Sequence, residues 1–600
     1  MDNLFIGLMV FLACLGLGRA GLRLARVTPD GVFEEAALSA GFGFGTVALL
    51  VFILGFFKFL YPAVFVALIA GILLLFLRFS RQILRKLGGE MAAGFRGAGF
   101  LAKFALCLAV AAALLSLCGV LAPPTGQDEL CYHLTQPKNY VRAHAIYEVP
   151  YSVNSLWPYL GEMLFTLGLL LKGPETAKFF HFSFYILTAL LVYAFTARFL
   201  SRKGAFWAAV FYALIPAAYM QASFAYIDHI LAFYFLAAFY CALVFLENRQ
   251  AAWAFLGGLF CGLCLSTKLI GLFCIPAVLS VVLADAFFGK NRKNLLTGAF
   301  LFAAGTLLFG SVFYLRSWIL RGNPVFPFYP NFFGGHGWVD RTYVDAHGTG
   351  KGVLDYFLIL WNVTMHPDRF GGEHVGSLLL AFFPLSFICV KWLRGYSYAL
   401  IGLGFLTLPW FMVDPNIRFW FGGLALLSVI GGASAAALLE LNGLWFRLSL
   451  RTLLVVFLAV SASFAAYHFR DEVKLLFNNN REGYLLDHER TYGVARAVNS
   501  MLRPADTVFS HNEIHGYYFN APLVLSGDLE LFTHYQEEKM TPAELAAYFR
   551  KLGFTYVLAR EIKDSSDNFL PGPASDGFKS EAVFHSHGLR YVLYRINYEG

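Results

Sequence analysis

Charged residues are scarce in this chain. Asp, Glu, Lys and Arg make up 14% of its 600 residues, against about 25% in soluble globular domains. With 58% hydrophobic residues and a mean hydropathy of +0.61, that scarcity excludes a soluble globular protein and leaves a polytopic membrane protein. The charge that is present sums to +8. In a membrane chain a basic excess first marks topology, because Lys and Arg stay on the cytoplasmic side, so no nucleic-acid partner is read from it. The nine cysteines fall mostly inside apolar runs, where a thiol packs as a small hydrophobe. Cys261 and Cys264 have no His or further Cys nearby in sequence, which favours packing over metal or redox chemistry. Cys131, in a polar loop, reads as a reduced thiol.

Other absences narrow the field further. Internal repeats and low-complexity tracts are lacking. No basic segment precedes the first apolar run, so Met1 to Leu17 reads as a retained span and not as a signal peptide. His511-Asn512-Glu513-Ile514-His515 lacks the Glu after the first His that zincins use, and Gly348-Thr349-Gly350-Lys351-Gly352 lacks P-loop spacing. No metal ligands are therefore assigned, and a divalent metal is left open without being indicated. The missing nucleotide fingerprint favours a lipid-linked donor over a nucleotide one. Asn362-Val363-Thr364 is a glycosylation sequon whose use depends on the organism.

What is present is a series of apolar runs. A helix needs about 20 apolar residues to cross the hydrocarbon core. That length finds spans near 3–18, 36–57, 60–77, 101–121, 176–198, 205–221 and 229–246. Others follow near 251–266, 269–288, 295–315, 376–393, 396–413, 418–437 and 452–468. The connections carry basic residues alternately, at Arg19, Arg23 and Arg26, at Arg78 to Arg96, at Arg198, Arg202 and Lys203, at Arg249, at Lys290, Arg292 and Lys293, at Lys391 and Arg394, and at Arg447 and Arg451. Placed inside, they put both chain ends and the polar stretch 123–171 outside. Within that stretch 157–171 is apolar but too short to cross, and is expected as a juxtamembrane or re-entrant helix. A second external loop is expected over 319–375, with a short helix over Leu354 to Trp361. From about 469 the composition turns soluble. Helix-like Arg490–Leu502 and Pro542–Leu552 alternate there with strand-like Thr507–Ser510, Leu523–Ser526, Tyr556–Ala559 and Tyr591–Ile596. The expected architecture is a polytopic α-helical membrane protein of about 14 spans, with additional N-terminal helices over 1–100, a catalytic membrane region over 101–468 and a small extracytoplasmic α/β domain over 469–600.

Ionisable residues at membrane depth cost about 2.5–3.5 kcal/mol each on insertion scales, so each is a candidate for function. Here they share a side. Asp128, Glu129, His133, Asp228, His229, Lys268, Arg316 and Arg418 all fall at expected external ends, where one outer-leaflet cavity could collect them. A carboxylate there can take the proton of an acceptor hydroxyl, and Lys or Arg can hold a phosphate leaving group. Together they fit glycosyl transfer from a lipid-phosphate sugar. Each also has a plainer reading: loop solvation for Asp128 and Glu129, a helix cap for Asp228, snorkelling for Lys268, Arg316 and Arg418. Their shared sidedness favours the site.

Six segments then carry a resemblance. They are Asp128-Glu129-Leu130-Cys131-Tyr132-His133, Asn154-Ser155-Leu156-Trp157-Pro158-Tyr159-Leu160-Gly161-Glu162, Ala225-Tyr226-Ile227-Asp228, Gly262 to Lys268, Arg316 to Pro324, and Asn416-Ile417-Arg418-Phe419. In this order the chain resembles the GT-C class of integral membrane glycosyltransferases, in the group holding protein O-mannosyltransferases and lipid A aminoarabinose transferases. The resemblance implies an inverting transferase using a polyprenyl-phosphate sugar donor, with Asp128 as catalytic base and Asp228 as a second acid. It implies Lys268, Arg316 and Arg418 at the donor phosphate. Glu129, Tyr132, His133, Asn154 and Glu162 are then expected at the sugar or acceptor. The acceptor is expected to be a lipid, glycan or protein hydroxyl, and the location a bacterial inner membrane. The competing readings are a transporter or flippase of lipid-linked glycans, which would place polar groups near the midplane in inverted repeats, and a non-catalytic polysaccharide assembly subunit.

Overall fold

Apolar runs long enough to span become helices wherever nothing in the run breaks them. The computed structural model describes residues 2–149, 152–289, 293–334, 347–389, 394–503, 505–521, 523–525, 540–561, 574–575 and 577–597. Among these, 11 helices are long and apolar enough to cross a membrane, from Asp2–Leu24 to Leu444–His468. The other three expected spans are shorter. Pro216 divides 205–221 into helices Arg202–Ala213 and Pro216–Gln221, because its ring clashes with the preceding turn of a continuing helix. The 251–266 run forms Ala251–Thr267, 17 residues long. The 376–393 run gives Leu378–Phe382 and Ser386–Cys389. Lys290, Arg292, Lys391 and Ser526, named above, lie outside the described residues, as does part of the second loop.

Two helices differ instructively from expectation. Pro62–Gly97 continues well past the apolar run ending at 77, carrying Arg78, Arg81, Arg85, Lys86 and Arg96 on exposed turns. Arg and Lys are good helix formers, so the helix persists where the hydropathy falls. The helix Leu160–Leu171 is short, as expected, with 12 residues. It is enclosed by protein, with Leu160, Leu164, Phe165 and Leu167 at 0% exposure, and packs against Val32–Phe56 and Pro174–Phe199. The N-terminal helices therefore belong to the same core.

Close backbone approach sets the packing around Ala251–Thr267. A Cβ on Gly258 would lie 2.1 Å from Phe302 O, and one on Gly262 2.7 Å from Thr306 O, so only glycine lets Leu295–Arg321 lie this close. Cys274 meets Cys261 and Cys264 here, a proximity that the sequence separation hid.

The C-terminal region forms a mixed sheet. Strands β1 (Val508–His511), β2 (Leu523–Leu525), β3 (Tyr556–Glu561), β4 (Ala574–Ser575), β5 (Phe578–Ser586) and β6 (Leu589–Ile596) lie in the order β2-β1-β3-β6-β5-β4. β1 is parallel to β2 and β3, while β6 runs antiparallel to β3 and β5. The β5–β6 hairpin turns on His587 and Gly588, at φ of 50° and 73°, the left-handed pair a two-residue turn of this kind needs. Helix Pro542–Lys551 packs Leu545, Ala546 and Phe549 against Phe509, Val557 and Phe578 of the sheet.

This domain grips the polar stretch that follows the helix Phe100–Leu121. Gly516 N and Tyr517 N donate to Leu130 O at 3.0 and 3.2 Å. Lys138 Nζ donates to Tyr517 O and, at 2.8 Å, to Phe519 O. Arg142 Nη1 reaches Asn520 O at 2.8 Å, and Tyr518 OH donates to Pro124 O at 2.7 Å. Domain and polar stretch thus sit at one end of the helical bundle.

Candidate active site

The loop carrying Asp128 is fixed by charges that satisfy backbone. Lys178 Nζ donates to Gly119 O and Ala122 O at 2.7 and 2.9 Å, filling acceptors that the end of a helix leaves open. Glu129 Oε2 accepts from Thr125 N and Gly126 N at 3.1 and 2.9 Å, and its Oε1 accepts from Ala225 N at 2.8 Å. Fully buried, Glu129 is committed to tying this loop to the turn before Asp228. Glu129–His133 winds as a π-helix, a widening that recurs at functional sites, and Asp128 stands immediately before it.

The turn Phe224–Asp228 is held by two core histidines. His229 N donates to His181 Nε2 at 3.1 Å, so His181 carries its proton on Nδ1 and donates it to Phe224 O at 2.9 Å. His229 lies between Ala218 O at 2.8 Å and Tyr212 OH at 2.9 Å. The carbonyl can only accept, which puts the His229 proton on Nε2. His229 is therefore a core support.

Arg418 brings the two acids together. Its turn is rigid: Asn416 Oδ1 accepts from Arg418 N at 3.1 Å, Trp410 Nε1 donates to Asn416 O at 2.7 Å, and Trp410 stacks on Trp420 with centroids 4.8 Å apart. Arg418 Nη1 lies 2.8 Å from Asp128 Oδ2, and its Nε lies 3.2 Å from Asp228 Oδ2. The guanidinium rests 4.2 Å above the Tyr226 ring, and Tyr226 OH accepts from Asp128 N at 3.3 Å. Two charged atoms remain buried without a partner, Arg418 Nη2 and Asp228 Oδ1. Leaving such atoms unpaired costs about 1–3 kcal/mol each or more when charged, so they are the atoms that a polar ligand or water would satisfy.

Lys268 completes the cationic side. Its Nζ sits 3.9 Å over the Phe419 ring, and its charge acts on Asp128. Burial pushes the Asp128 carboxyl upward, but Arg418, His133 and Lys268 outweigh it and hold the group below the usual carboxylate range. So held, Asp128 stays charged and braces Arg418. Burial raises the Tyr132 and Tyr226 phenols, which keeps both neutral. From Asp228 and Arg418 an apolar cleft runs between Leu231, Phe235, Ile270, Phe273 and Phe421.

The remaining expected residues divide. His133 Nδ1 pairs with Glu162 Oε1 at 2.7 Å, both side chains at most 1% exposed, with His133 Nε2 and Glu162 Oε2 unpartnered. Tyr132 meets Trp157 edge-on at 5.8 Å, and Asn154 is buried in the turn Val153–Leu156. Arg316 donates to Ser155 O at 2.6 Å and Tyr147 O at 3.0 Å, which makes it a clamp on the loop; no ion pair joins it to the Asp128–Arg418–Asp228 group. Among the described residues, no group of three or more His, Cys, Asp and Glu is placed to hold a metal ion.

Two site residues were given no role from the sequence, Tyr226, quoted only as part of the segment Ala225 to Asp228, and Glu373. Glu373 lies in Gly371-Gly372-Glu373-His374, where Gly371 and Gly372 take φ of 102° and 91°, and an acid in so tight a turn is the only signal it offered. Its Oε1 accepts from Gln221 Nε2 at 2.9 Å, while Oε2 is buried and unpartnered. Burial pushes its carboxyl up to about 7, although Arg418 pulls the other way and Asp228 and Asp128 add to the rise.

With this geometry in place, the comparisons can be stated. No curated protein sequence matches the chain. In the crystal structure of ArnT from Cupriavidus metallidurans bound to undecaprenyl phosphate, 99% of that chain aligns with 84% of this one, at 14% identity and a TM-score of 0.56. The apo form of the same ArnT aligns over 97% of its length and 81% of this chain, at 15% identity and a TM-score of 0.54. The chain thus has the GT-C membrane fold of ArnT, and its residues 151–320, which include Glu162, Asp228, Lys268 and Arg316, match the model of the dolichyl-phosphate-mannose-protein mannosyltransferase family.

Proposed function

We propose that the protein is an inverting glycosyltransferase that moves a monosaccharide from a polyprenyl-phosphate donor to an acceptor hydroxyl. The observation that carries this reading is Arg418, braced by Asp128 and Asp228 with Nη2 left free, next to Lys268 and at the head of an apolar cleft. An anionic phosphate attached to a long hydrocarbon has the matching shape: its oxygens complete the cations and its chain fills the cleft. The family match over 151–320 and the fold shared with an undecaprenyl-phosphate-binding protein support it. A transporter would need polar groups at the midplane, whereas these gather at one end of the bundle.

In this reading the cations stabilise charge as it moves onto the leaving phosphate, and the braced carboxylates keep Arg418 from turning away. His133, Glu162, Tyr132 and Asn154 line the approach of sugar or acceptor. The end of the bundle bearing Asp128 and the C-terminal domain faces the extracytoplasmic side of the plasma membrane. The test reconstitutes the protein with undecaprenyl phosphate and follows envelope lipids and glycans by mass spectrometry with and without it. Saturable binding of undecaprenyl phosphate, and one sugar lost from the envelope on deletion, are the expected results. Movement of the lipid across liposomes without sugar transfer would establish the transporter instead.

A further inference from the structure

The reaction needs a group to take the acceptor's proton, and the two aspartates are poorly suited to it. Asp128 and Asp228 each spend an oxygen on Arg418, at 2.8 and 3.2 Å. A base paired to a guanidinium gives up that pairing when it is protonated. Glu373 is in the opposite situation. Its carboxylate meets the neutral amide of Gln221 and its own backbone, its Oε2 is buried and free, and it lies within reach of the charges of Arg418, Asp228 and Asp128.

The surrounding backbone fixes Glu373 at the Arg418 turn. His374 O accepts from Ala217 N at 2.7 Å, which pins the loop to the start of Pro216–Gln221. A Cβ on Gly371 would lie 2.8 Å from Asn416 Nδ2, Asn416 Oδ1 and Glu373 Oε2 alike, so the carboxylate and the residue that caps Arg418 border the same small space. The charged groups acting on Glu373 are Arg418, Asp228 and Asp128, while the neighbouring His374 packs its ring on Phe464, 5.7 Å away.

We propose that Glu373 takes the proton of the acceptor hydroxyl, with Asp128 and Asp228 serving as positioning residues for Arg418. This rests on the glycosyl-transfer reading. In the step, the acceptor oxygen bonds to the anomeric carbon as the bond from that carbon to the phosphate oxygen breaks. The bonding pair leaves with polyprenyl phosphate, held by Arg418 and Lys268. The hydroxyl proton passes to the free Oε2 of Glu373 and from there to water. A carboxyl poised at about 7 suits the task, because a general base works best when its pKa lies near the working pH.

The experiment compares wild type, Glu373→Gln and Glu373→Asp in nanodiscs. It reads kcat against pH with extracted polyprenyl-phosphate sugars, undecaprenyl phosphate affinity, and the carboxyl infrared band lost in Glu373→Gln. The wild-type kcat is expected to rise through pH about 7, where that band also titrates. Glu373→Gln is expected to lose about 10²–10⁴-fold in kcat and the pH limb with it, yet to bind undecaprenyl phosphate as wild type does. Glu373→Asp is expected to recover part of the rate. An unchanged kcat and pH limb in Glu373→Gln overturns this proposal alone, as does a band titrating near the ordinary carboxylate value of about 4.3. A wild type that binds the lipid but transfers no sugar overturns the transferase reading, and this proposal with it.

Discussion

Arg418 is the residue on which the site's electrostatics turn, and its two carboxylate partners make its loss costly in a specific way. Removing one member of a buried ion group leaves the others uncompensated, at about 3–5 kcal/mol. Arg418→Met is therefore expected to lower the melting temperature strongly as well as to abolish transfer. Arg418→Lys keeps the charge but cannot span Asp128 and Asp228 as a planar fork does. It is expected to stay folded, to bind undecaprenyl phosphate at least about tenfold more weakly, a difference of about 1.4 kcal/mol, and to be inactive. Equal melting temperatures for the two variants would show that the pairing does not brace the fold. Glu373 gives a pH prediction of the opposite kind. Its folded value of about 7 lies above the unfolded carboxylate value of about 4.3. Between these, the folded protein binds more protons than the unfolded chain, so the stability from Glu373 is complete below about 4.3 and lost as pH rises through about 7. Glu373→Gln should therefore melt higher than wild type at pH 8 and alike at pH 4, as seen by thermal unfolding at the two pH values. Asp128, Asp228 and Arg418 were legible in the sequence because charge beside apolar helices stands out. Glu373 was not, because an acid in a polar loop is ordinary until the chain folds it against Gln221 and Asn416.

Among the elements, the buried helix Leu160–Leu171 positions the site by contact. A Cβ on Gly161 would lie 2.4 Å from Ile227 Cγ2, one residue before Asp228. Gly161→Ala has to displace Ile227, and with it the carboxylate that braces Arg418. A modest overpacking cost of about 1–3 kcal/mol in stability is expected. Transfer should fall much more, by about 10²-fold, since displacements of about 1 Å cost that much in reacting groups. Wild-type activity in a folded Gly161→Ala protein would remove this helix from the site's support. That 157–171 is too short to cross was readable from its length, whereas its burial within the bundle was not, because an all-round apolar helix suits lipid and protein interior equally. The same ambiguity hid the break in 205–221, where hydropathy ran on through Pro216. β5 was missed because its alternating pattern, exposed at every second residue, leaves few apolar positions to notice.

Across the whole molecule, the C-terminal domain holds the loop that presents Asp128. Gly516, Tyr517, Tyr518, Phe519 and Asn520 meet Leu130, Lys138, Arg142 and Pro124 through backbone groups. These partners lie within the π-helix Glu129–His133, at Leu130, and on both sides of it, so the domain sets the loop's path. Composition separated this domain from the membrane region clearly, yet nothing in either segment announced the contact, because carbonyl acceptors leave no mark in a sequence. Lys138 is the side chain on which the contact depends most. Lys138→Met keeps the aliphatic stem and deletes both donations, leaving Tyr517 O and Phe519 O short of a partner, at about 1–3 kcal/mol each. The variant is expected to open the junction between domain and loop, seen as faster protease cleavage there while the helical bundle melts as before. Transfer should fall in parallel, and undecaprenyl phosphate should bind almost normally, because Arg418, Lys268 and the cleft belong to the bundle. If Lys138→Met loosens the domain and leaves kcat unchanged, the domain serves something other than the geometry of Asp128.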